Sequence, residues 1–519
     1  METNSSKVEK ILVRLFLIAN SLIFVFLFYF SFRYSYVNVD IDVEFPAIRG
    51  DSFPVNGAGV LLIVLIFMCI HFLPEISGRV AHTGALILSA LSSIISYIWI
   101  HSSATTPFAD QLQICLAASA FNRDDYSMLE KGAYLAKWPQ NLGITTFLRV
   151  LFALFGDWNT FPFKIFAALM VFPLVYGISR ITVHFSKSEK LGLVGAFAIF
   201  ACIPVYFYTS FIYGEIISTS FAVMAVWSFL RGLDKPGPLN YFLMVFFTFA
   251  AVCFRKNTLI IFLALLVVCL LKLFFENGKK RIIAILAMII AGMILPSVVN
   301  KIIYSGHISP DAKPIPAILY VQMGLNMTEG PGCYGYGWYD NSIQTVFEEC
   351  GYSQEKASSV AKEMIRERIG DFCGNIPGMA DFYKIKISTQ WNAPMYQSIV
   401  MNNKFVWNDQ NDLAKTIYNN KTVWNVMDNY MNIYQLFAYL GILLAGVFMI
   451  KNFREASGLT CMIAVFGGFL FSVIWEAKSR YVFPYLLLMI PNAVIGMYLL
   501  SGMIRDLFGN KKAKKEDQR

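Results

Sequence analysis

Four short stretches hold most of the side chains that could do chemistry, and each is framed by apolar runs. The longest, residues 108–141, carries Asp110, Asp124, Asp125, Glu130 and Lys137 and ends in the corner Trp138-Pro139-Gln140-Asn141. TSFIYGEIIS sets Glu215 two residues after Tyr213, CFRKNTL sets Arg255 beside Lys256, and IWEAKSRYVFP contains Glu476, Lys478, Arg480 and Tyr481. A carboxylate within hydrogen-bond reach of a hydroxyl can act as its general base. Neighbouring cations can hold a phosphate and take up the charge it gains as a leaving group. Each residue also has an ordinary explanation. Asp110 can cap a helix N-terminus, and Glu215 can do the same or anchor at an interface. Arg255 and Lys256 can snorkel to lipid head groups. Glu476 and Arg480, four apart, can form a helical surface pair, while Trp138 and Pro139 are common at membrane interfaces and helix starts. What favours chemistry is the set. Carboxylates, cations and aromatic rings recur on one side of a membrane, as a substrate with an apolar tail and a phosphate head demands.

That shared side follows from the elements in between. The 519-residue chain is 56% hydrophobic and 15% charged, against about 25% charged in soluble domains. Apolar runs lie at 11–32, 57–74, 83–101, 161–181, 191–207, 217–230, 240–254, 258–274, 282–303, 431–450, 459–474 and 482–502. They predict about twelve transmembrane helices, since a bilayer core about 30 Å thick takes about 20 residues per crossing. Segment 142–156 is apolar too, but Arg149 sits in its middle, where insertion costs about 2.5–3.5 kcal/mol. If it crossed, the basic stretches 184–190, 231–235, 279–281 and 451–454 and the tail Lys511-Lys512-Ala513-Lys514-Lys515 would all face outward. Read as a half-inserted helix on the outer face, it leaves them and both termini cytoplasmic, as the positive-inside rule requires. The outer loops are then 33–56, 102–160, 208–216, 255–257, 304–430 and 475–481, and every stretch named above lies in one of them.

The net charge of +9 comes from short loops and the tail, which reads as membrane topology and excludes nucleic acid as a partner. No cleavable signal is apparent, and the first apolar run reads as a spanning helix. Nine cysteines without a CxxC pair and five scattered histidines give no metal-site spacing. Cys333, Cys350 and Cys373 share loop 304–430; a disulfide between two of them would leave one over, and free thiols are the expected reading. That loop is too long for a simple connector. It contains a polar helix at 353–370 and a turn-rich aromatic surface loop at 330–340. No soluble domain with its own core is apparent, and no internal repeat.

In their order and their shared side, these stretches resemble the GT-C glycosyltransferases, in particular the branch of the protein O-mannosyltransferases and the lipid A aminoarabinose transferase. The likeness covers most of the chain. It is carried by Asp110, by the corner Tyr134-Leu135-x-x-x-Pro139-Gln140-Asn141, by Glu215, by Arg255-Lys256, and by the late run Glu476-x-x-x-Arg480-Tyr481-x-x-Pro484. In character it is nearest to bacterial cell-envelope members. The resemblance implies an all-α polytopic membrane protein, a GT-C-like bundle with outer-face jaw helices and a long extracytoplasmic loop. Residues 1–82 would be two additional N-terminal transmembrane helices and 83–303 the catalytic core with its jaw region 102–160. Residues 304–430 would form the extracytoplasmic loop region, and 431–519 the C-terminal helices and basic cytoplasmic tail.

The activity implied is transfer of a monosaccharide, with inversion, from a polyprenyl-phosphate-linked donor to an extracytoplasmic acceptor. That acceptor would be cell-wall polysaccharide, teichoic acid or another envelope glycan, or else a protein or lipid. Asp110 is expected as general base, and Glu215 is expected to orient the acceptor or a cation. Lys137, Trp138, Gln140, Asn141, Tyr213, Arg255, Lys256, Glu476, Arg480 and Tyr481 are expected to bind substrate, with Trp338, Tyr339 and Trp391 packing sugar rings. Family members often carry an acidic pair or a second aspartate where this chain has Asp110 and Glu215. The resemblance therefore admits a divalent cation without requiring one. Two rival expectations stand beside it. A transporter or flippase of lipid-linked sugars would use the same cations and rings without a base, but usually shows repeats and broken mid-membrane helices. In a non-catalytic envelope assembly subunit, Asp110 would be dispensable.

Overall fold

Inside a bilayer only helices and closed barrels satisfy every backbone N–H and C=O, and the apolar runs of this chain become helices. A computed structural model describes residues 4–38, 46–275, 278–327, 329–330, 333–400, 410–451 and 456–516. The first half comprises α1 (Asn4–Arg33), α2 (Phe53–Phe72), α3 (Gly78–Ser103), α4 (Asp110–Phe121), α5 (Tyr134–Lys137), α6 (Leu142–Phe155), α7 (Phe161–Ser186), α8 (Glu189–Phe200), α9 (Ile203–Phe207) and α10 (Glu215–Asp234). It continues with α11 (Pro238–Phe254), α12 (Leu259–Phe275), α13 (Lys279–Tyr304), α14 (Ala317–Met323), α15 (Ser342–Glu349), α16 (Gln354–Gly374) and α17 (Ile376–Trp391). The last helices are α18 (Asp412–Asn419), α19 (Lys421–Lys451), α20 (Thr460–Ile474) and α21 (Ser479–Glu516). The described strands form two small antiparallel pairs, β1 (Tyr34–Val37) with β2 (Ala47–Gly50) and β3 (Glu329–Gly330) with β4 (Cys333–Tyr334).

Among the described residues nine helices are long and apolar enough to cross a membrane, and α8 with the turn beginning at Ile203 makes a tenth if that pair, bent by 60°, is one span. The chain is an all-α, multi-pass membrane protein. The twelve predicted segments fall on helices, the fifth on the bent pair α8–α9, but α11 and α20, of 17 and 15 residues, are not among the nine. Helix α6 has 14 residues and rises about 21 Å, less than the bilayer core. Val150, Leu154 and Phe155 are exposed on it, while Arg149 bonds the Asn122 side chain at 3.3 Å.

Helix α10 is almost wholly enclosed, between α7 and α11. The N-terminal pair packs on the C-terminal helices, α1 along α19 and α2 along α21. Helices α19 and α21 cross in backbone contact: a Cβ on Gly496 would lie 1.9 Å from the Gly441 carbonyl oxygen. Small residues allow this approach where apolar burial gives no drive between helices in lipid.

The loops sort into two groups at opposite helix ends. Tyr36 N–H bonds Asn392 O at 2.9 Å, Ile315 N–H bonds Lys137 O at 3.1 Å, and Ala477 N–H bonds Gly337 O at 2.7 Å. Ile212 N–H bonds Gln111 Oε1 at 2.8 Å, and the Arg255 guanidinium lies over the rings of Tyr213 and Tyr481. The six loops predicted to share one side thus touch one another. At the other ends, Lys190 pairs with Glu75 at 3.2 Å and His184 with Asp234 at 3.3 Å.

Candidate functional site

Asp110 is the first residue of α4, not a cap preceding it. The residue before it, Ala109, has φ +47° and ψ −127°, a backbone region suited to glycine that costs about 1–3 kcal/mol elsewhere. The segment that delivers Asp110 is held at several points. Thr105 Oγ1 donates to Ser210 O at 3.3 Å, and Gln111 accepts from Ile212 N–H. The buried Lys164 of α7 donates to Thr105 O and, at 3.1 Å, to Thr105 Oγ1.

Around Asp110 runs a chain of hydrogen bonds. The Tyr134 hydroxyl donates to Asp110 Oδ1 at 3.1 Å, and Asn141 Nδ2 donates to the hydroxyls of Tyr134 at 2.8 Å and Tyr213 at 3.1 Å. Burial, reinforced by Tyr213 and Asp110, pushes the Tyr134 phenol well above its ordinary range. Burial and then Asp110 raise that of Tyr213. Both stay neutral near pH 7, with the Tyr134 hydroxyl the donor to Asp110.

Tyr213 is also the hinge of a cationic pair. Arg255 lies 4.7 Å and Arg480 5.3 Å from its ring centre, and the same two guanidiniums lie 5.8 and 5.3 Å from the ring of Tyr481. The aromatic faces accept positive charge that would be costly in an apolar setting. Arg255 Nη1 is 3.0 Å from Glu215 Oε1, and Glu215 is buried. Arg480 feels the charge of Glu215 and of Asp110 as well. The Tyr481 hydroxyl donates to Glu476 Oε1 at 3.3 Å.

These groups wall a cavity of about 680 Å³. Of the residues expected from sequence, Asp110, Lys137, Trp138, Gln140, Tyr213, Glu476, Arg480 and Tyr481 line it. Asn141 stands behind Tyr134 and Tyr213, joined to the cavity through their hydroxyls. Glu215 and Arg255 line a smaller adjoining cavity that shares Arg480 and Tyr481. Glu215 is the counter-ion of Arg255 and lies off the main cavity: the residue expected to orient the acceptor or a cation does not line the cavity that holds Asp110.

Other expectations change as well. Lys256 is exposed and lines neither cavity. Lys137 donates to Gln344 Oε1 at 3.0 Å and Glu348 Oε1 at 3.2 Å, so its charge ties α15 to the corner. Trp338 and Trp391 are fully buried, their indoles bonded to Thr389 Oγ1 at 3.1 Å and Ser472 Oγ at 2.9 Å. Neither can pack a sugar, whereas Tyr339 does line the cavity. Glu476 precedes α21, so its spacing from Arg480 is not a helical turn. Cys350 and Cys373 are free thiols, and the Cys333 side chain lies outside the described residues.

The sequence reading missed Gln113, Tyr320, Gln344 and Lys478 on the cavity wall. Tyr320 stacks on Trp475 with ring centres 5.1 Å apart, and Lys478 sits over the Tyr339 ring at 5.5 Å. Lys478 stood in a quoted motif; Tyr320 and Gln344 lie in loop 304–430, where no spacing marks them. Among the described residues no group of three or more His, Cys, Asp or Glu is placed to hold a metal ion. No protein-family model matches the chain, and no curated protein does.

Proposed function

We propose that this chain is a GT-C-type membrane glycosyltransferase that moves a monosaccharide from a polyprenyl-phosphate donor to an envelope glycan, protein or lipid outside the cytoplasm. The observation that carries the reading is one cavity in which two carboxylates, Asp110 and Glu476, two cations, Lys478 and Arg480, and the ring of Tyr213 stand together from distant parts of the chain. On this reading the chain crosses the cell membrane twelve times, with α8–α9, α11 and α20 as the shorter crossings. Both termini are cytoplasmic and the cavity is extracytoplasmic. Helices α1 and α2 are additions to a catalytic core at 83–303 with its jaw at 102–160. Residues 304–430 roof the cavity, and 431–519 hold the C-terminal helices and basic tail.

Asp110 takes the proton of an acceptor hydroxyl through Oδ2, since Oδ1 is engaged by Tyr134. The acceptor oxygen bonds to the anomeric carbon while the bond from that carbon to the phosphate oxygen breaks, inverting the centre as in inverting glycosidases. The electron pair leaves on the lipid phosphate, and Arg480, backed by Arg255, meets its charge. Trp138, Tyr320 and Tyr339 offer ring faces to sugars.

The test uses proteoliposomes with polyprenyl phosphates carrying labelled mannose, glucose, galactose or N-acetylglucosamine inside, and envelope glycan as acceptor. Label is expected in the acceptor with wild-type protein and to fall by about 10³-fold or more with Asp110→Asn, as for loss of a general base plus its positioning. Wild-type-like transfer by Asp110→Asn would remove the base. Movement of donor across the bilayer without transfer would make the chain a flippase, and neither process an assembly subunit.

A further inference from the structure

The hydrogen bonds behind Asp110 have a direction, which follows by proton counting from the Asn141 amide nitrogen facing both phenols. An amide nitrogen carries two protons and a phenol one. Asn141 Nδ2 uses both of its protons, one on the Tyr134 hydroxyl at 2.8 Å and one on the Tyr213 hydroxyl at 3.1 Å. Tyr134 accepts from Asn141 and, in its contact with the Tyr213 hydroxyl, accepts that proton as well, which leaves its own proton for Asp110 Oδ1, 3.1 Å away. An ionised carboxylate only accepts, so the chain closes without conflict when Asp110 is charged. Were the amide reversed, its oxygen would draw the Tyr134 proton, and the contact to Asp110 would need a proton on Asp110 itself. Direction and charge are thus coupled.

We propose that Asn141 is a positioning residue that sets the direction of this chain and so holds Asp110 ready to accept the acceptor's proton. The inference rests on the reading of Asp110 as general base. Asn141 is 6% exposed and touches no substrate. It acts through Tyr134, whose hydroxyl proton it leaves for Asp110 Oδ1. The other groups whose charge is felt around Asp110 are Tyr213, Tyr339 and Arg480. Lys137, Glu476 and Lys478 complete the charged lining of the cavity.

Asn141→Asp keeps the shape but can no longer donate. Both phenols then turn toward residue 141, and Asp110 loses its donor. The acid limb of the rate–pH profile is expected to move up by about one unit, a tenfold loss on the acid side that recovers at alkaline pH. Tyr134→Phe removes the same donor and should move the limb likewise. The decisive measurement is Asn141→Asp in the Tyr134→Phe background. If direction is the cause, the second substitution adds little. An equal further shift would mean that the new charge acts through space, and the proposal would be overturned. Infrared difference spectra, with Asp110→Asn identifying the band, follow the carboxylic acid of residue 110 without turnover. The acid form should persist to higher pH in the Asn141→Asp protein. Transfer that survives Asp110→Asn would sink the enzyme reading. Loss of transfer there, with an unmoved acid limb in Asn141→Asp, would sink this inference alone.

Discussion

Arg255 and Arg480 share the rings of Tyr213 and Tyr481, and the sharing governs how substitutions there should behave. A lysine keeps the charge but loses the planar stack and the fork that grips a phosphate. Arg480→Lys is expected to lower kcat/KM for the lipid donor by about 10²-fold, the scale of losing one preorganised charge-stabilising group. Lys256→Gln should stay within about twofold, as exposed substitutions do. Initial rates over a donor series check both, and equal damage at the two positions would refute the cavity assignment of Arg480. Sequence could place Arg255 and Lys256 in one loop but could not say which of two neighbours turns inward, because a short 3-10 turn (Lys256–Thr258) has no apolar periodicity to read. Trp338 failed for the same reason, and Trp391 lies at the very end of α17, where the helical period gives no further residue to set its face. In a long irregular loop, a tryptophan that fills a core and one that lines a cavity have the same local sequence. Asp110, Gln140, Arg480 and Tyr481 were legible because a polar residue beside an apolar run is costly without a task.

At the scale of elements, the wall that carries Tyr320, Tyr339, Glu476 and Lys478 is clamped by one joint. Lys386 of α17 donates to Gly324 O at 2.5 Å and to Val473 O at 2.9 Å, joining the end of α14 to the end of α20. Gly337, at φ +73°, packs against both: a Cβ there would lie 2.6 Å from Gly324 O and 2.9 Å from Lys386 Cε. Burial pushes the Lys386 ammonium down to about 7, whereas the unfolded chain holds its proton to about 10.4. Below pH 7 both states are protonated and the full cost of burying the charge is present. Between those values the unfolded chain binds the extra proton, so stability from this group rises with pH. Lys386→Met should therefore flatten the rise of melting temperature between pH 7 and 9. It should also leave two carbonyls unsatisfied, at about 1–3 kcal/mol each. Thermal unfolding in detergent at a series of pH values measures it, and parallel curves for both proteins would rule out titration of Lys386. Nothing in the sequence around Lys386 announces the joint. Its partners are backbone carbonyls, which every residue has.

At the scale of the whole molecule, charge bias and hydropathy said which loops belong together before any contact was known. Leaving segment 142–156 out of the spans, on the cost of one arginine, placed 102–160, 208–216, 255–257, 304–430 and 475–481 on one side. The fold joins them through Gln111, Lys137, Arg255 and Gly337. Two features escaped, the bend between α8 and α9 and the docking of α1 and α2 on α19 and α21, because hydropathy gives spans but not their neighbours. Which side the joined loops face can be read with the protein's own thiols. Cys373 is exposed at the end of α16, while Cys202, Cys269 and Cys461 are buried. A membrane-impermeant maleimide added to intact cells should label the chain, and Cys373→Ser should remove most of that label. Labelling of Cys373 only after the membrane is opened would put the cavity in the cytoplasm. Every crossing would then be inverted, Lys511 to Lys515 would face outward against the positive-inside rule, and the donor would have to be one presented on the inner leaflet.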